Sequence, residues 1–237
     1  MHADLEALIR RPIAHRGLHD GNVATWENTL SAFEAAIARG FAIECDLQYA
    51  ADAVPVVFHD DDMERLCRMK GDVRAKSSSE LGLLSVGGTK DKVPSLARLL
   101  STVRGRVPLV LELKGRQGDD EGFASSVLEL VDDYDGPLAL MSFDHWLLQD
   151  LKSNGASRPL GLTAEGIKPQ DFAAHDKAMA LGLDFISYNI MHLPNDYITL
   201  QRGRGLPVIT WTVRNAAQQA HSAAHAEQIT FEGFDPA

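Results

Sequence analysis

The chain has little cysteine and no long apolar run. Among its 237 residues are only two cysteines, Cys45 and Cys67. That is too few for a disulfide framework, and two idle thiols in a cytosol-like, cytoplasmic setting are the expectation. No stretch reaches the roughly 18 apolar residues of a membrane span, and the opening MHADLEALIRRPIAHRG has no long apolar core of a secretory signal. Stable membrane insertion is therefore not expected. Runs of basic residues are missing too. With a net charge of -10 the surface repels nucleic acid, which is not expected as a partner. Internal repeats and low-complexity segments are absent as well.

What is present is a repeated alternation of short apolar runs and helical patterns. Hydrophobic residues make up 45% of the chain, enough for a closed core. Strand candidates are Pro12–Ala14, Ala42–Leu47, Val54–Phe58, Pro108–Leu113, Pro137–Ser142, Pro159–Thr163, Asp184–Tyr188 and Pro207–Val213. Helical patterns fall between most of them, as at Leu30 to Arg39, where Asn28 or Thr29 is a suitable cap and Gly40 a stop. Eight strands in a chain of this size predict an α/β fold, a single TIM (β/α)8 barrel domain over residues 1–237. It is expected to be irregular at its second and third strands. A small insertion, charged and rich in Ser and Gly, is expected over about residues 61–107.

The chain is organised around Ala42 to Asp60. Glu44 and Asp46 alternate with Ile43, Cys45 and Leu47, so in a strand the two acids share one face. Acids seldom face inward unless paired or bound to a cation, and a hard divalent ion suits converging carboxylates. The gap before Val54 is too short for a parallel crossover, so a hairpin is expected. A turn centred on Asp52-Ala53 sets His59 opposite Asp46; a slip of one residue would turn it to the other face.

In barrels of this kind the reactive residues gather at the C-terminal ends of the strands. His15 and Arg16 follow the first strand, Glu44 and Asp46 lie on the second, His59 ends the third, and Glu112 and Lys114 end the fourth. Singly, each has an ordinary structural explanation: a core histidine, a buried ion pair, a helix cap. Together they describe phosphodiester chemistry. Three carboxylates suit Mg²⁺ or Ca²⁺, and two histidines suit a general acid and a general base, each worth about 10²- to 10⁴-fold. Arg16 and Lys114 suit an anionic substrate. Phe143 and Trp211, at the ends of the fifth and the last expected strands, are candidates to line the mouth and contact the substrate's alcohol.

At these residues the chain closely resembles the glycerophosphodiester phosphodiesterase family. The matching stretches are HRG (15–17), ENT with its following AF (27–33), IECDL (43–47), VVFHD (56–60), VPSL (93–96), LELK (111–114), SF (142–143) and TWTV (210–213). They occur in the family's order and span nearly the whole chain. The resemblance implies a TIM barrel with an inserted region after the His-Asp pair. It also implies metal-dependent hydrolysis of small glycerophosphodiesters to sn-glycerol 3-phosphate and an alcohol. It makes Glu44, Asp46 and Glu112 the metal ligands and His15 and His59 the acid/base pair. In the family's mechanism a glycerol hydroxyl attacks the phosphate, and water then opens the cyclic product. Three stretches depart from the pattern: Arg214 follows WTV where the family often has Asn, MERLCRMKGDV follows His59-Asp60, and EQITFEGFDPA replaces the usual Thr-Asp ending. An alternative is a non-catalytic barrel that binds glycerophosphodiesters, but such a protein should have lost a histidine or a ligand, and all five are present. A lipid-cleaving toxin on the same barrel would want export and a lipid-facing apolar loop.

Overall fold

The computed structural model describes residues 2–236. Its strands are β1 (Ile13–Ala14), β2 (Ala42–Tyr49), β3 (Pro55–Val57), β4 (Leu109–Leu113), β5 (Leu138–Ser142), β6 (Leu160–Ala164), β7 (Phe185–Asn189), β8 (Val208–Val213) and β9 (Gln228–Phe231). Apart from β3, neighbours pair in parallel in the order β1-β2-β4-β5-β6-β7-β8-β9, and β9 returns to β1. The result is a closed eight-stranded TIM barrel.

Side-chain alternation builds its two layers. On β2, Ile43, Cys45 and Leu47 point outward and pack with Leu109, Leu111 and Leu113 of β4 under the helices. The opposite faces look inward. Ile13, Val110, Ala139, Phe185 and Ile209 fill the lower barrel. Gly161 on β6 makes room there, since a Cβ would lie 2.2 Å from the Phe185 ring. Helix α1 (Ala3–Ile9) closes the bottom, with Leu5 and Leu8 buried against this inner layer.

The helices of the outer ring begin and end as their caps dictate. α2 (Leu30–Arg39) is capped by the Thr29 side chain and ends at Gly40, whose φ of 67° is left-handed. α3 (Glu64–Cys67) and α4 (Ser78–Leu81) are single turns after β3. Around them Phe58, Met63, Val73, Leu81 and Val86 form a small core of their own. α5 (Leu96–Val103) instead buries Leu96, Leu99 and Val103 in the main core.

Two sequence expectations change. First, Val54–Phe58 does not supply a barrel strand. β3 joins β2 antiparallel, beyond the barrel wall, and the eighth barrel strand is β9, in the atypical EQITFEGFDPA ending. That strand is four residues long and half polar, so it carries no apolar run. Trp211 therefore lies on the seventh barrel strand and Ser142 ends the fourth. Second, the hairpin register is one residue from the expected one. Ala50 N donates to Val54 O, and the turn spans residues 51–53 with Ala53 at a φ of 60°. Phe58, not His59, stands opposite Asp46, with Phe58 N donating to Asp46 O at 3.0 Å. His59 nevertheless stays at the site. It lies past the end of β3, and the Gln48 amide grips the carbonyls of His59 and Asp60 at 2.9 and 2.5 Å.

Candidate active site at the C-terminal mouth

Glu44 and Asp46 face inward from β2, and the parallel register sets Glu112 of β4 beside Asp46. All three are buried, and one oxygen from each lies within 4.8 Å of the others. Burial, together with Asp46 and Glu112, pushes the Glu44 carboxyl well above its ordinary range. Burial raises Glu112 too, with Lys114 opposing it. Asp46 is also buried, but Lys114 and Arg16 overcome that and hold it low. Lys114 Nζ lies 2.6 Å from Glu112 Oε1 and 3.4 Å from Asp46 Oδ1. Two cations thus face three crowded acids, and one acid cannot stay charged comfortably. All-oxygen, electron-rich donors of this kind fit a hard divalent cation.

Arg16 has a φ of 56° just past β1. Its Nη1 donates to Glu27 Oε1 at 2.6 Å. Its Nε is buried 3.3 Å from Asp46 Oδ2, without an aligned hydrogen bond. Asn28, which the sequence offered as a possible helix cap, instead donates from Nδ2 to Asp46 Oδ2 at 2.8 Å and leaves the cap to Thr29.

Each histidine carries a carboxylate. His59 Nδ1 lies 2.7 Å from Asp60 Oδ1, and Arg65 in turn grips both oxygens of Asp60. His15 Nδ1 lies 2.6 Å from Glu232 Oε2. Burial lowers the His15 pKa, with Glu232 opposing that shift. Burial would raise Glu232, but the hydrogen bond from His15 and the neighbouring Arg214 hold it far below its usual range.

All nine candidate residues from the sequence line one cavity of about 200 Å³: His15, Arg16, Glu44, Asp46, His59, Glu112, Lys114, Phe143 and Trp211. The charged groups come from β1, β2, β4 and the loop after β3. Phe143 and Trp211 line the same cavity, with ring centroids 5.4 Å apart in an edge-on contact. Sequence reasoning assigned no site role to Asp60, Arg65 or Glu232, and noted Arg214 only as a departure after WTV. Glu27 was visible only as a member of ENT. Glu232 lies two residues beyond Thr230, which faces the cavity, so period two would have found it had the strand been read.

A closed barrel with acids, cations and paired histidines at its C-terminal mouth belongs, in architecture, to the TIM-barrel phosphoester enzymes. The chain is a member of the glycerophosphoryl diester phosphodiesterase family, whose model matches residues 15–230, and it is an enzyme of that family. It is 27% identical over 215 residues to the Bacillus subtilis protein YhdW, covering 86% of each chain. It is 23% identical over 250 residues to glycerophosphodiester phosphodiesterase 1 of Bos taurus, covering 90% of this chain and 74% of that one. An Oleispira antarctica phosphodiesterase, solved with its product sn-glycerol-3-phosphate, has the same fold. Its TM-score is 0.83 at 22% identity, over 94% of this chain and 92% of that one. Both cysteines are free, and among the described residues no helix is long and apolar enough to cross a membrane.

Proposed function

We propose that the protein hydrolyses glycerophosphodiesters to sn-glycerol 3-phosphate and an alcohol, in a cytoplasmic setting, with a divalent metal, Mg²⁺ or Ca²⁺, as cofactor. The observation that carries this reading is the buried trio Glu44, Asp46 and Glu112, with one oxygen of each within 4.8 Å of the others. Those three side chains would hold the ion. When bound, it supplies charge neutralisation at the phosphate oxygens.

The remaining work falls to the chain's own side chains. Arg16 and Lys114 bind the phosphate; the Arg16 Nε, 3.3 Å from Asp46 Oδ2, makes no hydrogen bond inside the protein. His15 and His59 each turn one ring nitrogen to a carboxylate. Their Nε2 atoms are thereby free to take a proton from the attacking hydroxyl and to return one to the leaving oxygen. Phe143 and Trp211 cover the alcohol and keep water from the reacting phosphate.

The test is a coupled assay of glycerol 3-phosphate release across choline, ethanolamine and glycerol esters, with and without chelator. Release that chelation abolishes and Mg²⁺ or Ca²⁺ restores supports the reading. Binding of the esters without release would return the protein to the non-catalytic alternative.

A further inference from the structure

The last barrel strand brings a carboxylate to a catalytic histidine. The register Ile13↔Thr230 and Ala14↔Phe231 runs on past the strand ends, so His15 and Glu232 stand side by side on neighbouring strands. Backbone bonds fix both: His15 N donates to Phe231 O at 2.9 Å and Glu232 N to Val213 O at 3.1 Å. The side chains then meet at 2.6 Å, Nδ1 to Oε2. Glu232's other oxygen, Oε1, accepts from Arg214 Nε at 2.8 Å. His19 approaches the same carboxylate. Its Nδ1 accepts from Gly21 N, so its proton is on Nε2, 3.8 Å from Glu232 Oε2.

We infer that Glu232, held by Arg214, is the positioning residue that fixes the His15 tautomer, keeping the proton on Nδ1 and the Nε2 lone pair toward the cavity. This rests on the proposed hydrolysis for its kinetic part, though not for its structural part. The physical reason is that an ionised carboxylate only accepts. Whichever nitrogen hydrogen-bonds to it must carry the proton, and the other, here Nε2, 3.9 Å from Glu44 Oε2 and so beyond hydrogen-bond reach, is left as the proton acceptor. Two of the three departures noted in the sequence, Arg214 after WTV and the EQITFEGFDPA ending, thus meet in one device. Arg214 is donor-only, so it occupies one oxygen and leaves the other to the histidine.

The arginine also makes the substitution informative. In Glu232→Gln the amide oxygen must turn to Arg214, which has nothing to accept with. The amide NH₂ then faces His15 Nδ1 and forces the proton to Nε2, the wrong tautomer. Glu232→Ala only releases the ring. The glutamine variant should therefore be the worse of the two, with kcat lowered on the order of 10³- to 10⁴-fold and KM within about threefold. A purely structural role predicts the reverse, since alanine also removes the Arg214 contact and the packing.

The experiment combines kcat and KM for wild type, Glu232→Gln and Glu232→Ala with ¹⁵N chemical shifts of His15 in each. Support is a proton on Nδ1 in wild type, on Nε2 in the glutamine variant, and a lower kcat for glutamine than for alanine. The same tautomer in wild type and Glu232→Gln overturns the inference. So does a shifted tautomer with unchanged turnover, or a greater loss with alanine. Should wild type release no glycerol 3-phosphate from any ester, the hydrolysis reading fails, while the shifts still decide whether Glu232 sets the tautomer.

Discussion

Arg65 forks across Glu27, its Nη1 and Nη2 donating to the two carboxylate oxygens at 2.9 and 2.8 Å. The loop after β1 is thereby joined to the helix after the hairpin. Glu27 also receives Arg16 at 2.6 Å and Asn22 at 2.5 Å. Burial would raise its pKa, but these partners, Arg65 foremost, bring it down to about 2 from 4.5. The sign follows. A carboxyl whose folded pKa is depressed contributes stability that is full above about pH 4.5 and is lost as pH falls toward 2. The expected outcome is a fall in melting temperature across that window that is shallower in Glu27→Gln. Parallel curves for the two proteins between pH 5 and 2.5 would remove Glu27 from the acid response.

The metal trio gives a second expectation. If Glu44 is one of three oxygen ligands, Glu44→Gln should lower divalent-ion affinity by more than the ~10- to 100-fold that loss of an outer-shell partner costs. Calorimetric titration of both proteins with Mg²⁺ and Ca²⁺ measures it. Wild-type affinity in the variant would sink the assignment.

Lys114 separates two contributions. Its ammonium touches both Glu112 and Asp46, so Lys114→Met leaves buried acids without their counter-charge. In metal-free protein this should cost ~3–5 kcal/mol of stability. A divalent cation should recover much of that loss, while turnover stays depressed if Lys114 contacts the phosphate. Full activity per folded molecule would make the lysine a structural partner alone.

Trp211 is anchored at one end, its Nε1 donating to Ser187 O at 3.1 Å, and meets the half-exposed Phe143 ring at the mouth. If the pair covers the alcohol, Trp211→Ala raises KM unequally among choline, ethanolamine and glycerol esters and leaves the fold intact. Equal shifts for all three esters, or unfolding, would place the residue in the core instead.

Much of this site is legible in the sequence alone. Alternation along Glu44 and Asp46, with the isolated Glu112, put three acids inside a barrel because strand pleat and parallel register depend on local pattern. The hairpin register was not legible, because Ala53 takes a left-handed φ of 60° that its residue type does not announce. β9 was hidden by its brevity and its inward Gln and Thr residues, and Glu232 was hidden with it. The Glu27–Arg65 pair, 38 residues apart, has no periodic signature at all. It exists only because β3 leaves the barrel and carries its following helix back over the β1 loop.

The seam between β1 and β9 has a consequence for biosynthesis. Residues 13 and 14 find one of their two neighbours only at residues 230 and 231. On a ribosome that delivers the chain from its N-terminus, β1 waits with an unpaired edge while almost everything else is made. His15 likewise waits for a partner 217 residues downstream. Contacts of such sequence separation form late, because the closing loop's entropy must be overcome first. An emerging chain therefore exposes His15 without its carboxylate, and the cavity is completed only when the final strand slots in. Activity measured on stalled nascent chains should rise in a single step as residue 232 clears the exit tunnel, rather than gradually with length.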